Sequence, residues 1–311
     1  MNPDLSSKSG LAGNGIPMPP ASPQKAPVPG SAKADFHSDL VAVPAKLCSL
    51  PPLNSIANRV LALSDDPDSD SRTMASVVEG DPAFAAEVLF LANSPLFGFP
   101  SKLQALPHAV SVLGDDRIKA LATTVAMRAF VGGGGPLIRQ CWRHSAACAA
   151  IAEQISPAFA APADQAYSTA LMHDIGRLGL VKCYPQQIGP VLGGEHAEAR
   201  EALFAERAVM KIDHQQAGAW LVKHWALPDP FQEICQHHHD RLQPDDAPLL
   251  QVVKTACRLS DALGFSAVAC RSTPTYSELM SALPAGVRKG RIPAEEHLRE
   301  QVEERLASFE P

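Results

Sequence analysis

Aromatic residues are scarce in this chain, at 5% of 311 residues with three Trp and three Tyr. A core built on stacked rings is excluded, and the interior has to be aliphatic. No Lys/Arg-rich run is present and the net charge is −6, which argues against an electrostatic grip on nucleic acid. No apolar run approaches the roughly 18 residues needed to cross a bilayer, and no apolar signal-peptide core stands at the start. These absences predict a cytoplasmic protein with no membrane span. The seven cysteines are odd in number and contain no C-x-x-C pair. That fits a reducing compartment, with Cys141, Cys148 and Cys257 as small core residues. Strand-type alternation is hard to find. What is abundant is Ala and Leu, both strong helix formers, so the expected fold class is all-α.

Ten of the 28 prolines fall within the first 52 residues. Residues 1–38 are rich in Pro, Gly, Ser and Ala and bury too little apolar area to offset their ordering entropy, so they read as a disordered tail. From Leu50 the pattern turns helical, with Leu53, Ile56, Val60 and Leu63 on one face. Ser69 or Ser71 is placed to cap the next helix. Asp81-Pro82 reads as N-cap plus Pro at the first helical position, opening a helix over 83–92 that Pro95 ends. Gly114 closes 110–113, Asp115 and Asp116 open 118–131, and Gly132 to Gly135 is a linker without phosphate-loop context. Further helices are expected over 137–155, 166–182, 197–210, 215–224, from Asp229-Pro230 into the three histidines, and over 249–263. A charged, peripheral helix over 295–308 ends the chain. The helices fall into two packed groups, 48–131 and 136–270, with 271–311 as a C-terminal extension.

One dipeptide stands out: His173-Asp174, inside the apolar stretch Leu171-Met172-His173-Asp174-Ile175-Gly176-Arg177-Leu178. Imidazole nitrogen and carboxylate oxygen are both metal donors. His144, Asp213, His214, His237, His238 and Asp261 add further candidates. Together they point to a divalent-metal site in a helical domain, of the kind that hydrolyses phosphate esters. Each also has a purely structural reading. His173-Asp174 reads as a buried ion pair, His144 as a core histidine, His214 as a helix start capped by Asp213, and His237 to His239 as a solvated helix end. The three Trp read as packing residues.

The order of motifs resembles the HDOD domain family, a relative of the HD and HD-GYP metal-dependent phosphohydrolases. The first half carries Leu50-Pro51-Pro52-Leu53, Asp81-Pro82, Leu91-Ala92-Asn93-Ser94-Pro95-Leu96-Phe97-Gly98 and Leu113-Gly114. The second carries Trp142-Arg143-His144-Ser145, the His173-Asp174-Ile175-Gly176 segment, Asp213-His214, Ala217-Gly218, Trp225-Ala226-Leu227-Pro228 and His237-His238. The resemblance spans roughly 48–265. It implies an N-terminal helical layer packed on an HD-type phosphohydrolase-like helical core. Asn93, Ser94 and Pro95 then read as a structural motif that ends a helix.

In catalytic relatives, the resemblance implies, His144, His173, Asp174 and an aspartate from a late helix hold a first metal. His214, His237 and His238 hold a second, with Asp174 bridging. Here the late segment reads Ala256-Cys257-Arg258-Leu259-Ser260, so Cys257 stands at the aspartate's position, either as a thiolate ligand or as core. Asp261, one helical turn on, is the other candidate. The chain also lacks the Gly-Tyr-Pro continuation after its histidines, and Arg177 stands where a lysine is common. The expected function is a bacterial signal-transduction or regulatory domain acting mainly through protein partners, over an incomplete metal site. The alternatives are a phosphohydrolase with one or two divalent ions (Fe, Mn, Ni or Zn), acting on a nucleotide or phosphate ester, and a sensor that binds a small nucleotide without turnover.

Overall fold

A computed structural model describes residues 44–53, 55–63, 70–93 and 102–307. The tail assigned to 1–38 lies outside these residues, as do Ser69, Ser94 and Pro95. The first helices are α1 (Ala45–Cys48), α2 (Ser55–Ala62), α3 (Ser71–Val78), α4 (Pro82–Ala92), α5 (Leu106–Leu113) and α6 (Asp115–Val131). The cap of α3 is Asp70, not a neighbouring serine: its carboxylate accepts from the Thr73 amide at 2.8 Å. Asp81 caps α4 by accepting from the amides of Ala83 and Phe84. Gly114 joins α5 to α6 at φ 78°, a backbone region that side-chain-bearing residues rarely adopt.

The second group comprises α7 (Pro136–Ile155), α8 (Ala163–Met172), α9 (Ile175–Cys183), α10 (Pro185–Leu192), α11 (Ala199–Met210), α12 (His214–His224), α13 (Asp229–His237) and α14 (Pro248–Ala262). α7 is its axis. Pro136 sits in its first turn, and Cys141, His144, Ser145, Cys148, Ile151, Ala152 and Ile155 recur at helical spacing on its buried side. The alanines there let neighbouring helices approach closely, and α7 packs on α8, α9 and α14. α6 lies on α8, so the two groups share one continuous apolar cluster running from Leu47 to Leu306. The fold is all-α. The extended structure among the described residues is two residues on each side, β1 (Glu195–His196) parallel to β2 (Ala269–Cys270). It pins the approach to α11 against the chain leaving α14.

α9 and α12 touch through backbone. A Cβ on Gly176 would lie 2.0 Å from the His214 carbonyl oxygen and 2.3 Å from the Gly218 amide nitrogen. No side chain fits there, and this contact sets how near the Asp174 end of α9 comes to His214.

Past the core come α15 (Tyr276–Ala282), whose capping box joins Thr275 and Glu278, and α16 (Glu295–Ala307). The charged composition of α16 predicts a peripheral helix, but one stripe is buried. Leu298, Val302 and Leu306 are shielded and the helix packs on α7. Burying such a side chain is worth about 1.5–3 kcal/mol, enough to outweigh a charged outer face. Arg299 also donates to the Leu263 carbonyl at 2.6 Å. No helix among the described residues is long and apolar enough to cross a membrane.

Candidate metal centre

The single helix expected over 166–182 is broken at His173-Asp174. α8 stops at Met172, and Asp174 (φ −103°, ψ 19°) is the N-cap of α9. The cause is local. The Ala170 carbonyl receives both the His173 amide at 3.4 Å and the His173 Nδ1 at 2.6 Å, which displaces the regular bond from the residue after it. Periodicity cannot show this, because a side chain takes the acceptor.

Four buried histidines are oriented alike. Nδ1 of His144 lies 2.8 Å from the Phe265 carbonyl, Nδ1 of His173 2.6 Å from that of Ala170, and Nδ1 of His238 3.0 Å from that of Cys235. Nδ1 of His214 lies 2.6 Å from Glu206 Oε2. Carbonyls and ionised carboxylates only accept, so each Nδ1 carries a proton and donates it. Each Nε2 is thereby turned to the interior, the arrangement in which proteins hold metal-ligating histidines. Two groups of donors result, and both could hold a metal ion.

The first is His144, Cys148, His173 and Cys257, all buried, with their ligand atoms within 4.8 Å of one another. His144 Nε2 is 3.6 Å from Cys148 Sγ and 3.8 Å from Cys257 Sγ. His173 Nε2 is buried and has no hydrogen-bond partner. Cys148, with the imidazoles of His144 and His173 beside it, holds the Cys257 thiol well below its ordinary value in spite of burial. Burial pushes the Cys148 thiol well up. Burial works against the His144 imidazolium, but the Cys257 thiolate, Asp261 and Asp174 outweigh it and push the group up to about 9.

The second is Asp174, His214, His238 and His239. Asp174 Oδ1 lies 3.4 Å from His214 Nε2 and 3.5 Å from His238 Nε2, and the two Nε2 atoms are 3.3 Å apart. Beside them the guanidinium of Arg177 is fully enclosed. Its Nη1 is 3.2 Å from Asp174 Oδ2, its Nη2 donates to His214 Nε2 at 3.1 Å, and its Nε is 3.7 Å from Glu206 Oε1. Burial would push the Asp174 carboxyl up, but Arg177 and the surrounding histidines hold it well below the carboxylate range. Burial works against the His238 imidazolium, but Asp174 beside it pushes the group up.

The structure thus brings together His144, His173, Asp174, His214 and His238. Cys257 points into the first group. Asp261 does not: its Oδ1 is 3.8 Å from Nδ1 of His144, behind the ligand face. Burial raises the Asp261 carboxyl to about 6, with the Cys257 thiolate adding to the rise. His237 stands apart, its side chain 42% exposed and its Nδ1 2.8 Å from Asp240 Oδ2. α13 ends at His237, so the register carries His238 and His239 inward instead. Asp213 caps α12 in a capping box with Gln216 and binds Arg207. Asn93 donates to the carbonyls of Leu89 and Leu103 and accepts the Leu103 amide at 2.7 Å, tying the end of α4 to the chain ten residues on. Sequence reasoning missed Cys148 and Glu206. The spacing of His144 and Cys148, one helical turn apart on one face, was the available signal for Cys148. Glu206 had none beyond its place in an amphipathic helix.

The HDOD domain pattern matches residues 50–241. An uncharacterized protein of Treponema pallidum is 22% identical over 212 residues, covering 67% of this chain and 39% of that protein. The chain thus spans about two fifths of the length of that relative. An HDOD domain protein of unknown function from Geobacter sulfurreducens superposes with TM-score 0.63 at 22% identity, over 84% of this chain and 91% of that one. A Shewanella amazonensis protein provisionally named a phosphohydrolase superposes with TM-score 0.62 at 20% identity, over 88% and 99%. A Marinobacter aquaeolei protein provisionally named a signal transduction protein gives 0.55 at 21%, over 84% and 58%. At these identities the structures share the fold, and the family pattern covers well over half of the chain, from the Leu50-Pro51-Pro52 segment through the inward-facing histidines: the chain belongs to the HDOD family.

Proposed function

We propose that this chain is a regulatory signal-transduction domain of the cytoplasm that acts through contacts with protein partners, its HD-type half serving as a scaffold. The observation that carries this reading is Arg177. Two-metal phosphoester hydrolysis needs a second cation beside the bridging carboxylate. Here a guanidinium, permanently charged and enclosed, is already bound to Asp174, Glu206 and His214. Cys257 in place of the late aspartate removes a hard oxygen ligand from the other position. A domain without that centre delivers its output through its surface. The free cysteines fit a reducing compartment.

One observation favours a metal-dependent phosphohydrolase acting on a nucleotide or phosphate ester: Asp174, His214, His238 and His239 still converge. A third possibility, a small-nucleotide sensor, has charge available in the cleft lined by Arg128, Arg139, Trp142 and Arg143. The deciding experiment uses the full chain purified without chelator and supplied with Mn²⁺, Fe²⁺ or Ni²⁺. No hydrolysis of phosphodiesters or nucleotides above that of His173→Ala is expected. Metal-dependent turnover that His173→Ala abolishes overturns the regulatory reading.

A further inference from the structure

We propose that His144 Nε2, Cys148 Sγ, His173 Nε2 and Cys257 Sγ form a closed tetrahedral zinc site that ties α7, the α8–α9 break and α14 together and leaves no position for water. Zinc bonds of about 2.0–2.1 Å to nitrogen and 2.3 Å to sulfur place tetrahedral ligand atoms about 3.3–3.8 Å from one another. The contacts of 3.6 and 3.8 Å already stand at that separation, and the remaining atoms need only small rotamer changes. Two imidazoles and two sulfurs are the donor set of structural zinc, and soft sulfur ligands disfavour Mg²⁺ and Mn²⁺.

Three further observations point to a resident ion. His173 Nε2 is a fully buried lone pair with no partner, a costly arrangement that a metal would end. Both histidines are oriented from behind by backbone carbonyls, of Phe265 and Ala170. The charges also sum to zero: one Zn²⁺, two thiolates and two neutral imidazoles make a neutral unit suited to a dry interior. Zinc takes both cysteines as thiolates and both imidazoles as neutral ligands, so the protons they carry are released to solvent on binding. Asp174 stays outside this set, bound to Arg177. The site is therefore a cross-link between segments distant in sequence, and metal binding free energy becomes folding free energy.

The proposal goes beyond the regulatory reading and stands independently of it. The full chain, expressed with zinc supplied and purified without chelator, is expected to carry one zinc per chain by elemental analysis. Exchange with Co²⁺ is expected to give an intense thiolate-to-cobalt charge-transfer band and the visible bands of tetrahedral cobalt. Cys148→Ser and Cys257→Ser should each weaken zinc binding by more than the about 10–100-fold typical of losing an outer-shell partner. Cys48→Ser, at the surface, should leave it unchanged. Zinc should raise the thermal midpoint of the wild type and not of Cys148→Ser. Where a Cys→Ser variant does not fold, the wild-type cobalt spectrum decides alone. A zinc-free chain, an octahedral cobalt spectrum without charge transfer, or a Cys148–Cys257 disulfide in the isolated protein each overturns the proposal. A zinc-free chain that also shows no hydrolysis removes the site and leaves the regulatory reading standing.

Discussion

The sulfur-bearing group around His144 and the carboxylate-bearing group around Arg177 are in contact. The rings of His173 and His238 meet edge to face with centroids 4.8 Å apart, and the same chain break supplies His173 to one group and Asp174 to the other. They differ in where positive charge comes from. The carboxylate group carries a covalently attached cation, the guanidinium of Arg177. The sulfur group has no permanently charged side chain among its four ligand residues and leaves His173 Nε2 without a partner. The difference teaches that two sites built on one helical frame can be filled from within or from outside, and that a single side chain decides which.

The most severe way to break the contrast is Arg177→Met. Removing one partner of a buried charge network typically costs about 3–5 kcal/mol, because the opposite charges remain uncompensated. Urea denaturation of the metal-free protein should show a loss of that size, and Mn²⁺ should restore part of it in the variant but not in the wild type. A loss below about 1 kcal/mol would place Arg177 among ordinary surface ion pairs.

A moderate effect should appear in acid. Burial would raise Glu206, but His214 and Arg177 together hold it below its unfolded value of 4.5. Its ionised form therefore contributes stability that is fully present above about pH 4.5 and lost as pH falls toward the lower folded value. Asp174 adds to the same acid-side loss. Urea midpoints followed downward from neutral pH should fall steeply in the wild type and less steeply in Glu206→Gln. Equal slopes would refute the assignment.

The smallest effect sharpens the boundary of the second group. The side chains of His237 and Asp240 are each about half exposed, so His237→Ala should change stability by no more than about 0.5 kcal/mol and leave metal content untouched. Elemental analysis and thermal melting of that variant are the measurements, and a loss of bound metal would return His237 to the centre.

Much of this was legible in the residues. Alanine and leucine content, with Asp-Pro starts and the Gly114 stop, is enough to read a helical chain, because caps and periodicity are local properties. The convergence of His144, His173, His214 and His238 followed from the resemblance of their order to a known family. What could not be read were events decided in three dimensions. The imidazole of His173 takes the Ala170 carbonyl and ends α8, and no residue pattern encodes that competition. The end of α13 at His237 rotates the histidine run by one position, which a run of three identical residues cannot disclose. Cys148 looked like any small core residue on α7 because its partner Cys257 is more than a hundred positions away. The charged composition of α16 hid the stripe of Leu298, Val302 and Leu306.

The backbone contact at Gly176 has a consequence for redesign. Because the His214 carbonyl and the Gly218 amide fill the space where a Cβ would stand, α9 and α12 are held as a fixed rail, and the residues hung from it can be exchanged without moving it. Converting Arg177, which α9 itself carries, to lysine would then test catalytic competence on an unchanged chassis. Whatever such a chain gained or lost would be attributable to the new side chain, since the rail leaves the helices no room to settle elsewhere.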